Sequence, residues 1–377
     1  MWLSGAKVVL PDRVLPVASL RLEGERVAEV REGRVAGGLP LEGLTLVPGV
    51  VDLHGDTLER ELEPRPGVSL PLEVALEAWE ARALGAGITT AYVAVSFWDG
   101  AAGVRAPEKS LEIVQGLWHL REGLTLDLRV HARYEVSRPQ GEWAVEQALE
   151  EGLVHLLSLM DHTPGQGQFR NLEAYVAYMS RWLGRSPEEV AQELSPTQVA
   201  WGALEGLVQR AKARGVVLAS HDDDTPERVA LMAGLGVRIS EFPLTLAAAQ
   251  AARGHGMWVV MGAPNALRGG SHNGNLSALE ALGHGLLHAL ATDYHPASAL
   301  RAAFALAGQG LLPLEKAVAL VSLHPAQAVG LADRGALLPG FRADLVVLRE
   351  APFAVLGVFV RGRPALLRGK MAEVLHG

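Results

Sequence analysis

The chain of 377 residues contains no cysteine. A disulfide framework, a thiolate metal site and a cysteine nucleophile are therefore excluded. Any metal ion must be held by imidazole and carboxylate side chains, a ligand set that suits Zn, Mn, Fe or Co. The chain has 13 histidines that can serve this purpose.

Long apolar runs are also absent. No uncharged stretch exceeds 16 positions; one of this length, residues 317–332, contains His324 and Pro325, whereas a membrane-spanning helix needs about 20 apolar residues. Near the N-terminus, Lys7 and Arg13 interrupt the apolar residues before the core of a signal peptide is reached. We therefore expect a cytoplasmic protein with no membrane partner.

The composition is that of an acidic globular protein. The formal net charge is −8 at pH 7, from 42 acidic and 34 basic residues, and this balance disfavours nonspecific binding to nucleic acid. Apolar residues make up 49% and charged residues 20% of the chain, which excludes disordered, collagenous and coiled-coil chains. At roughly 150 residues per domain, the length allows one large α/β barrel and a smaller unit.

Apolar runs alternate with helical patterns from residue 49 to residue 333, which indicates parallel strands joined by helical crossovers. Eight candidate strands lie at residues 47–54, 89–95, 128–136, 154–162, 216–221, 237–241, 257–261 and 288–293. This number favours an α/β fold of the (β/α)8 TIM-like barrel type, with the active site at the C-terminal ends of the strands. A doubly wound open sheet is the alternative, weakened because no Gly-x-Gly-x-x-Gly turn follows the first strand.

Both ends of the chain have β character. Residues 1–48 and 334–377 each show short candidate strands separated by turns, and we expect them to pair into a small β-sandwich domain beside the barrel at 49–333. Residues 171–214 are too long for one crossover helix, and Ser186 and Glu189 have the capping-box spacing that starts a new helix. We expect a helical insertion here, either a lid over the site or a contact in a homo-oligomer.

Chemistry-bearing side chains cluster at the ends of the predicted strands. In the stretch GVVDLHGDTLERELEPRP, at residues 49–66, His54 and Asp56 share one face of the first barrel strand at its C-terminal end. Further imidazoles and carboxylates end other strands, namely Glu135, His162, His221 and Asp293. Polar side chains repeated at strand ends are hard to explain as core filling, so the pattern predicts a metal site.

The stretches VDLHGD, MDHTPGQGQF, SHDDDT, GAPNALRGGSHNGN and ATDYHPAS, followed by GALLPGFRADLVVL, resemble the amidohydrolase superfamily of metal-dependent hydrolases. They are most similar to its diphosphatase branch in phosphonate metabolism, from Leu46 to about Val347. The resemblance implies release of pyrophosphate from a ribosyl 5-triphosphate. Hydrolysis of carbon–nitrogen bonds, as by a deacetylase, cyclic amidase or deaminase, is the alternative, because the same metal site attacks carbonyl and amidine carbons. A catalytically inactive binding module is disfavoured because the ligand set looks complete.

The resemblance also implies one or two divalent ions per subunit. Their ligands would be His54, Asp56, Glu135, His162, His221 and Asp293, with Glu135 as a bridging ligand. Asp293 would also act as the catalytic base that takes a proton from the attacking water. Most of the superfamily has a second histidine at the position of Asp56. A carboxylated lysine is a less plausible bridge, because none of the five lysines lies at a predicted strand end.

A small phosphorylated substrate needs counter-charge beyond the metal ions. Several basic residues and glycines lie on loops that follow predicted strands, namely Arg65, Arg138, Arg170, Arg268, Gly269, Gly270, His272 and His295. Guanidinium groups match phosphate oxygens, and adjacent glycines can present backbone N–H groups to an anion. These residues are the predicted substrate contacts. The alternative is that the arginines form surface ion pairs and the glycines only a turn.

Overall fold

The computed structural model describes residues 1–65, 67–98, 103–164, 167, 172–183, 186–192, 199–270, 274–369 and 371–373, without the side chains of 174, 178, 181–183 and 192. Within these ranges the strands are β1 (Trp2–Val9), β2 (Val14–Glu23), β3 (Arg26–Glu32), β4 (Leu39–Pro40), β5 (Thr45–Pro48), β6 (Val50–Gly55), β7 (Ile88–Phe97), β8 (Asp127–Glu135), β9 (Leu156–Met160), β10 (Val217–His221), β11 (Ile239–Glu241), β12 (Trp258–Gly262), β13 (Ala289–Ala291), β14 (Leu345–Arg349), β15 (Ala354–Val360) and β16 (Arg363–Leu367). The helices are α1 (Leu58–Leu62), α2 (Leu72–Gly85), α3 (Pro107–Leu120), α4 (Glu142–Glu150), α5 (Leu172–Leu183), α6 (Pro187–Gln192), α7 (Glu205–Ala213), α8 (Pro226–Leu235), α9 (Leu246–Gly254), α10 (Ala263–Arg268), α11 (Ala278–Gly283), α12 (Ser298–Gly308), α13 (Leu314–Ala319) and α14 (Leu323–Ala328).

Strands β6 to β13 form the barrel. They pair side by side in chain order, and the described neighbours are parallel. Strand β7 is buried at every position, as expected for a parallel strand covered on both faces. The predicted barrel is confirmed. The first predicted strand, at residues 47–54, divides in two, because Thr45–Pro48 pairs in the other sheet and the barrel strand begins at Val50.

The barrel closes between β6 and β13 through a short set of polar contacts, which we call the seam. The Asp52 carboxylate accepts hydrogen bonds from the Thr292 backbone N–H at 2.9 Å and from its hydroxyl at 2.5 Å. The Asp293 N–H donates to the His54 carbonyl oxygen at 2.8 Å, and the Asp56 N–H donates to the Asp293 carbonyl oxygen at 3.2 Å. The seam therefore brings together the ends of the first and last barrel strands.

The helix predicted after the first barrel strand is present as α2. Its buried face includes Leu76, Trp79 and Ala83, at the predicted helical spacing. Gly87 follows with φ +85°, and a Cβ there would lie 2.8 Å from Leu300 Cδ1. Glycine is required at this point both for its backbone conformation and for the close approach of α12.

The second sheet joins the two ends of the chain. Its strand order is β16-β15-β14-β5-β1-β2-β3, with β4 paired to β1. The N-terminal and C-terminal parts meet where β5 and β14 pair antiparallel. The sequence predicts a small β-sandwich at this place. The eight strands are hydrogen-bonded into one continuous sheet, and this sheet packs around its own apolar cluster.

A buried ionic cluster connects the base of the barrel to the segment that leads into the second sheet. Asp127 begins β8 and accepts hydrogen bonds from Arg334 and from Arg342, the latter at 3.1 Å. Both guanidinium groups also donate to the Thr90 hydroxyl at 3.0 and 3.1 Å. This cluster lies at the N-terminal ends of β7 and β8, away from the ends that carry the predicted site residues.

The predicted helical insertion contains α5, α6 and α7 in the described residues. The expected capping box is confirmed, since the Ser186 N–H donates to Glu189 Oε2 at 2.8 Å and the Glu189 N–H donates to Ser186 Oγ at 3.2 Å. Tyr175 and Met179 of α5 pack with Val190 and against Trp98, which follows β7. No helix in the described ranges is long and apolar enough to cross a membrane.

Candidate active site

A cavity of about 390 Å³ opens at the C-terminal ends of the barrel strands. Its described lining residues are His54, Asp56, Arg60, Ser96, Trp98, Arg105, Arg133, Met160, His162, His221, Asp222, Phe242, Pro243, Leu244, Met261, Gly262, Asn265, Arg268, Gly270, Asn275, Leu276, Asp293 and Tyr294. Its size is within the range of small-molecule sites. Five of the six predicted metal ligands line it, and Glu135 lies behind His162.

His162, His221 and Asp222 are close enough to share a metal ion, since one ligand atom from each lies within 4.8 Å of the others. Asp222 Oδ2 is 3.2 Å from His221 Nδ1 and 3.9 Å from His162 Nε2. Among the described residues, buried His221 Nδ1 makes no hydrogen bond of acceptable angle, although Asp222 Oδ2 lies near it. Burial acts to raise the pKa of Asp222, but the adjacent His221 and His162 hold this pKa below its ordinary value. Asp222 was not among the predicted ligands.

Glu135 is fully buried at the end of β8 and orients His162. Its Oε2 lies 2.6 Å from His162 Nδ1, and its Oε1 accepts from the His162 N–H at 3.1 Å and from the Ser137 hydroxyl. Burial acts to lower the pKa of His162, but the Glu135 carboxylate raises it above its ordinary value. With Nδ1 held by the carboxylate, Nε2 of His162 faces Asp222. The bridging role of Glu135 stays a prediction.

His54 is held in the same way by Glu241, which ends β11. Glu241 Oε1 lies 3.2 Å from His54 Nδ1, and both side chains are buried. An outer carboxylate that accepts from one nitrogen of a histidine fixes the tautomer and leaves the other nitrogen for a metal ion. Burial lowers the pKa of His54 well below its ordinary value, which keeps the ring neutral. Sequence reasoning missed Glu241.

Behind Glu241 the hydrogen bonds continue to Ser158 and His131. Ser158 Oγ lies 2.5 Å from Glu241 Oε2 and 2.8 Å from His131 Nε2, and His131 Nδ1 lies 3.0 Å from the Leu53 carbonyl oxygen. Although His54, His131 and Glu241 are close enough for a metal ion, both nitrogens of His131 and both oxygens of Glu241 already have protein partners. These side chains therefore form a hydrogen-bond network that supports His54.

The hydrogen bonds and the burial of this network set the protonation of His131. The Leu53 carbonyl oxygen accepts only, so His131 Nδ1 carries a hydrogen. The Ser158 hydroxyl lies between His131 Nε2 and Glu241 Oε2 and can donate to either. Burial lowers the pKa of His131 to about 3, so its ring is neutral.

Asp293 and Asp56 face the cavity from the seam. Burial, with a further contribution from the negative charge of Asp56, raises the pKa of Asp293 to about 7. Within the described part of the chain, buried Asp56 Oδ1 has no hydrogen-bond partner. A buried carboxylate oxygen without a donor is expected to be satisfied by an ion or water molecule, so Asp56 fits its predicted role as a ligand.

Three residues of the cavity have left-handed backbone conformations that are rare outside glycine. Asp222, Phe242 and Asp293 have φ of 57°, 55° and 56°, and each follows the last residue of its strand or lies two beyond it. The Phe242 ring contacts the rings of His54 and His221 at centroid distances of 5.0 and 5.3 Å. Such conformations cost of order 1–3 kcal/mol each and concentrate at functional sites.

Comparison with known proteins identifies the family. The model of the amidohydrolase family matches residues 189–356. The alpha-D-ribose 1-methylphosphonate 5-triphosphate diphosphatase of Escherichia coli (strain K12) is 37% identical over 359 residues, covering 92% of this chain and 94% of that protein. The chain belongs to the amidohydrolase family.

Solved structures show that the barrel and the second sheet together are an amidohydrolase fold. The N-acetyl-D-glucosamine-6-phosphate deacetylase of Mycobacterium smegmatis has a TM-score of 0.67 at 20% identity, over 97% of this chain and 100% of that chain. The 5-methylcytosine deaminase of Klebsiella pneumoniae also has a TM-score of 0.67, at 15% identity, over 98% of each chain. At these identities the similarity concerns the fold alone.

The arginines that line the cavity of this amidohydrolase differ from those predicted. Arg268 and Gly270 line it as expected, and Gly269 lies between them with φ +77°. The other lining arginines are Arg60, Arg105 and Arg133. Arg133 Nη2 lies 3.2 Å from His221 Nε2. The sequence could have indicated Arg133 as a cavity residue, because alternate residues of a strand share a face and Arg133 lies between His131 and Glu135 on β8.

Three further predicted substrate contacts of the amidohydrolase do not line the cavity. Arg65, Arg138 and His295 are exposed, and they are absent from the described residues that line it. The His295 N–H donates to the Thr292 carbonyl oxygen at 2.9 Å, in the turn after β13. Arg170 and His272 lie outside the described residues.

Proposed function

We propose that this chain is a metal-dependent hydrolase that releases pyrophosphate from alpha-D-ribose 1-methylphosphonate 5-triphosphate in phosphonate metabolism. The observation that carries the proposal is the 37% identity to the Escherichia coli diphosphatase over 92% of the chain. The cavity is consistent with it, because it combines candidate metal ligands with several guanidinium groups. The substrate is accordingly a small phosphorylated molecule.

The side chains at the cavity fit a divalent metal ion. His162, His221 and Asp222 offer ligand atoms close together, and Asp56 Oδ1 is buried with no hydrogen-bond partner among the described residues. We propose that these residues, with His54 and Asp293, hold one or two ions of Zn, Mn, Fe or Co. A divalent ion bound there would stabilise negative charge on phosphoryl oxygens and make water more acidic. Elemental analysis of the purified protein tests the metal identity.

Asp293 is the proposed general base. Its carboxylate lines the cavity together with the other proposed metal ligands, where it would accept a proton from a water molecule within hydrogen-bond reach. Water adds across the anhydride between the α and β phosphates, so that one new P–O bond forms as one breaks. One proton of the water passes to Asp293, and the products are a ribosyl 5-phosphate and pyrophosphate.

A phosphorus NMR time course tests the proposed reaction. Metal-loaded protein is expected to convert the ribosyl triphosphate to pyrophosphate and the 5-phosphate, without successive release of orthophosphate. The alternative is hydrolysis of carbon–nitrogen bonds, for which the deacetylase and the deaminase share the fold alone. Absence of pyrophosphate, together with turnover of an amide or amidine, would establish that alternative.

A further inference from the structure

The described lining of the cavity is cationic although the protein is acidic. The charged side chains that line it are four arginines (Arg60, Arg105, Arg133 and Arg268) and three aspartates (Asp56, Asp222 and Asp293), whereas the whole chain has a net charge of −8. A divalent metal ion would add to the positive side. This excess of positive charge favours an anionic ligand, since a positive potential in a cleft attracts negative charge.

Three of these arginines belong to one side of the cavity, and we call Arg60, Arg105 and Arg268 the rim arginines. Arg60 lies in α1 after β6, Arg105 ends a short 3₁₀ helix (Gly103–Arg105) after β7, and Arg268 ends α10 after β12. In the barrel, β12, β13, β6 and β7 follow one another, because the seam joins β13 to β6. The rim arginines therefore flank Asp293, which follows β13. Arg133 is separate, because it contacts His221.

The position of Arg105 is fixed by an ion pair. Its Nε and Nη2 lie 2.7 and 2.6 Å from Glu59 Oε2. The other Glu59 oxygen is buried, and none of the residues that the structure describes donates a hydrogen bond to it. Glu59 is next to Arg60 in α1, so the two guanidinium groups are carried by contacting segments. Arg60 and Arg268 are exposed.

We propose that the rim arginines bind the terminal diphosphate of the substrate, which is the group that leaves as pyrophosphate. This inference rests on the proposed function and adds the direction in which the triphosphate lies. The scissile phosphate must lie at Asp293 and the metal ligands, and the rest of the triphosphate then extends over the neighbouring loops. A terminal phosphate carries about −1.5 to −2 charges at pH 7, and guanidinium groups bind such groups through paired hydrogen bonds.

Calorimetric titration of pyrophosphate, as its metal complex, into metal-loaded protein tests this subsite. Arg60→Ala and Arg268→Ala are suitable variants because both side chains are exposed and the fold should tolerate their loss. Each is expected to weaken pyrophosphate binding about 10-fold or more, since a hydrogen bond to a charged group contributes about 1.5–3 kcal/mol. Arg214→Ala is the matched control, an exposed arginine that follows α7 and precedes β10 at the other end of the barrel.

Pyrophosphate binding tests the proposed subsite independently of the proposed reaction. Pyrophosphate binding that weakens in both rim variants but not in Arg214→Ala supports the subsite, whether or not the ribosyl triphosphate proves to be the substrate. Wild-type affinity for pyrophosphate in both rim variants, with unchanged thermal unfolding, would overturn it even if the wild type releases pyrophosphate. Equal loss of orthophosphate and pyrophosphate binding would also overturn it, because the rim is assigned to a diphosphate.

Discussion

The contact between Glu241 and His54 predicts opposite outcomes for two substitutions at one position. Glu241→Ala removes the acceptor of the His54 Nδ1 hydrogen and the partner of Ser158 Oγ, at 3.2 and 2.5 Å. Each buried group left unsatisfied costs about 1–3 kcal/mol. Because one of the two directly orients His54, we expect Glu241→Ala to lower metal affinity about 10- to 100-fold, as is usual for the loss of an outer partner of a ligating histidine.

Glu241→Gln should change metal affinity very little, because it leaves none of these buried groups without a hydrogen-bond partner. The glutamine oxygen accepts from His54 Nδ1, its NH₂ group donates to Ser158 Oγ, and the Ser158 hydroxyl donates to His131 Nε2. His54, Ser158 and His131 each keep a partner in this arrangement, and the His131 ring stays neutral, in keeping with its low pKa. We expect metal affinity within about 3-fold of wild type, since no buried group loses its partner.

A competition titration with a fluorescent zinc chelator measures both variants, and circular dichroism checks their fold. Equal loss of affinity in Glu241→Gln and Glu241→Ala would refute the reasoning, because it would show that a negative charge at this position is required, as for a direct ligand. Wild-type affinity in Glu241→Ala would show that His54 needs no outer partner.

Three further predictions concern the seam and the base of the barrel. Asp293→Asn should keep the fold but lower turnover by about 10² to 10⁴, the usual contribution of a general base; steady-state kinetics measures this, and unchanged turnover would exclude the proposed base. Gly55→Ala would place a Cβ 2.8 Å from Asp52 Oδ2, so it should lower the free energy of unfolding by about 1–3 kcal/mol, seen as a lower urea midpoint; an unchanged midpoint would contradict the close fit. Burial acts to raise the pKa of Asp127, but Arg129, Arg334 and Arg342 lower it to about 2 from 3.8. Because the pKa of Asp127 is lower in the folded than in the unfolded protein, its carboxylate stabilises the fold at pH values above the unfolded pKa. This contribution to the free energy of unfolding should be about 2 kcal/mol at pH 7 and should be lost between pH 4 and 2. Asp127→Asn should abolish this loss of stability between pH 4 and 2. Urea titrations of both proteins at several pH values measure it, and the same loss in the variant would contradict the assignment to Asp127.

The barrel was predictable because two signals agreed along the chain. Apolar runs of strand length alternate with helical patterns, and polar residues such as His54, His221 and Asp293 recur where the runs end. Strand β13 shows the limit of this reasoning. It has only three residues, Ala289–Ala291, and the predicted strand 288–293 included the turn in which Asp293 takes its left-handed conformation. Alternation of side chains cannot reveal such a turn.

Residues that act through others were harder to predict. Glu241 ends a strand of three residues and contacts His54 across 187 positions of sequence, so no local pattern relates the two. The prediction of the arginines at the cavity was incomplete for a different reason. Arg65 and Arg60 follow the same strand, but the turn of α1 places Arg60 at the cavity and leaves Arg65 exposed outside its described lining. The sequence predicts the loop on which an arginine lies, but the direction of its side chain depends on the local backbone turn.

The seam has a consequence for how the occupied site can be observed. Its backbone donors belong to Asp56, Thr292 and Asp293, so the amide hydrogens that close the barrel are next to the proposed ligands. Local opening there exposes these amides to solvent exchange, and any ion or substrate bound by Asp56 and Asp293 opposes that opening. The exchange rates of these three amides should therefore report occupancy directly, without any turnover, and should slow as the site fills.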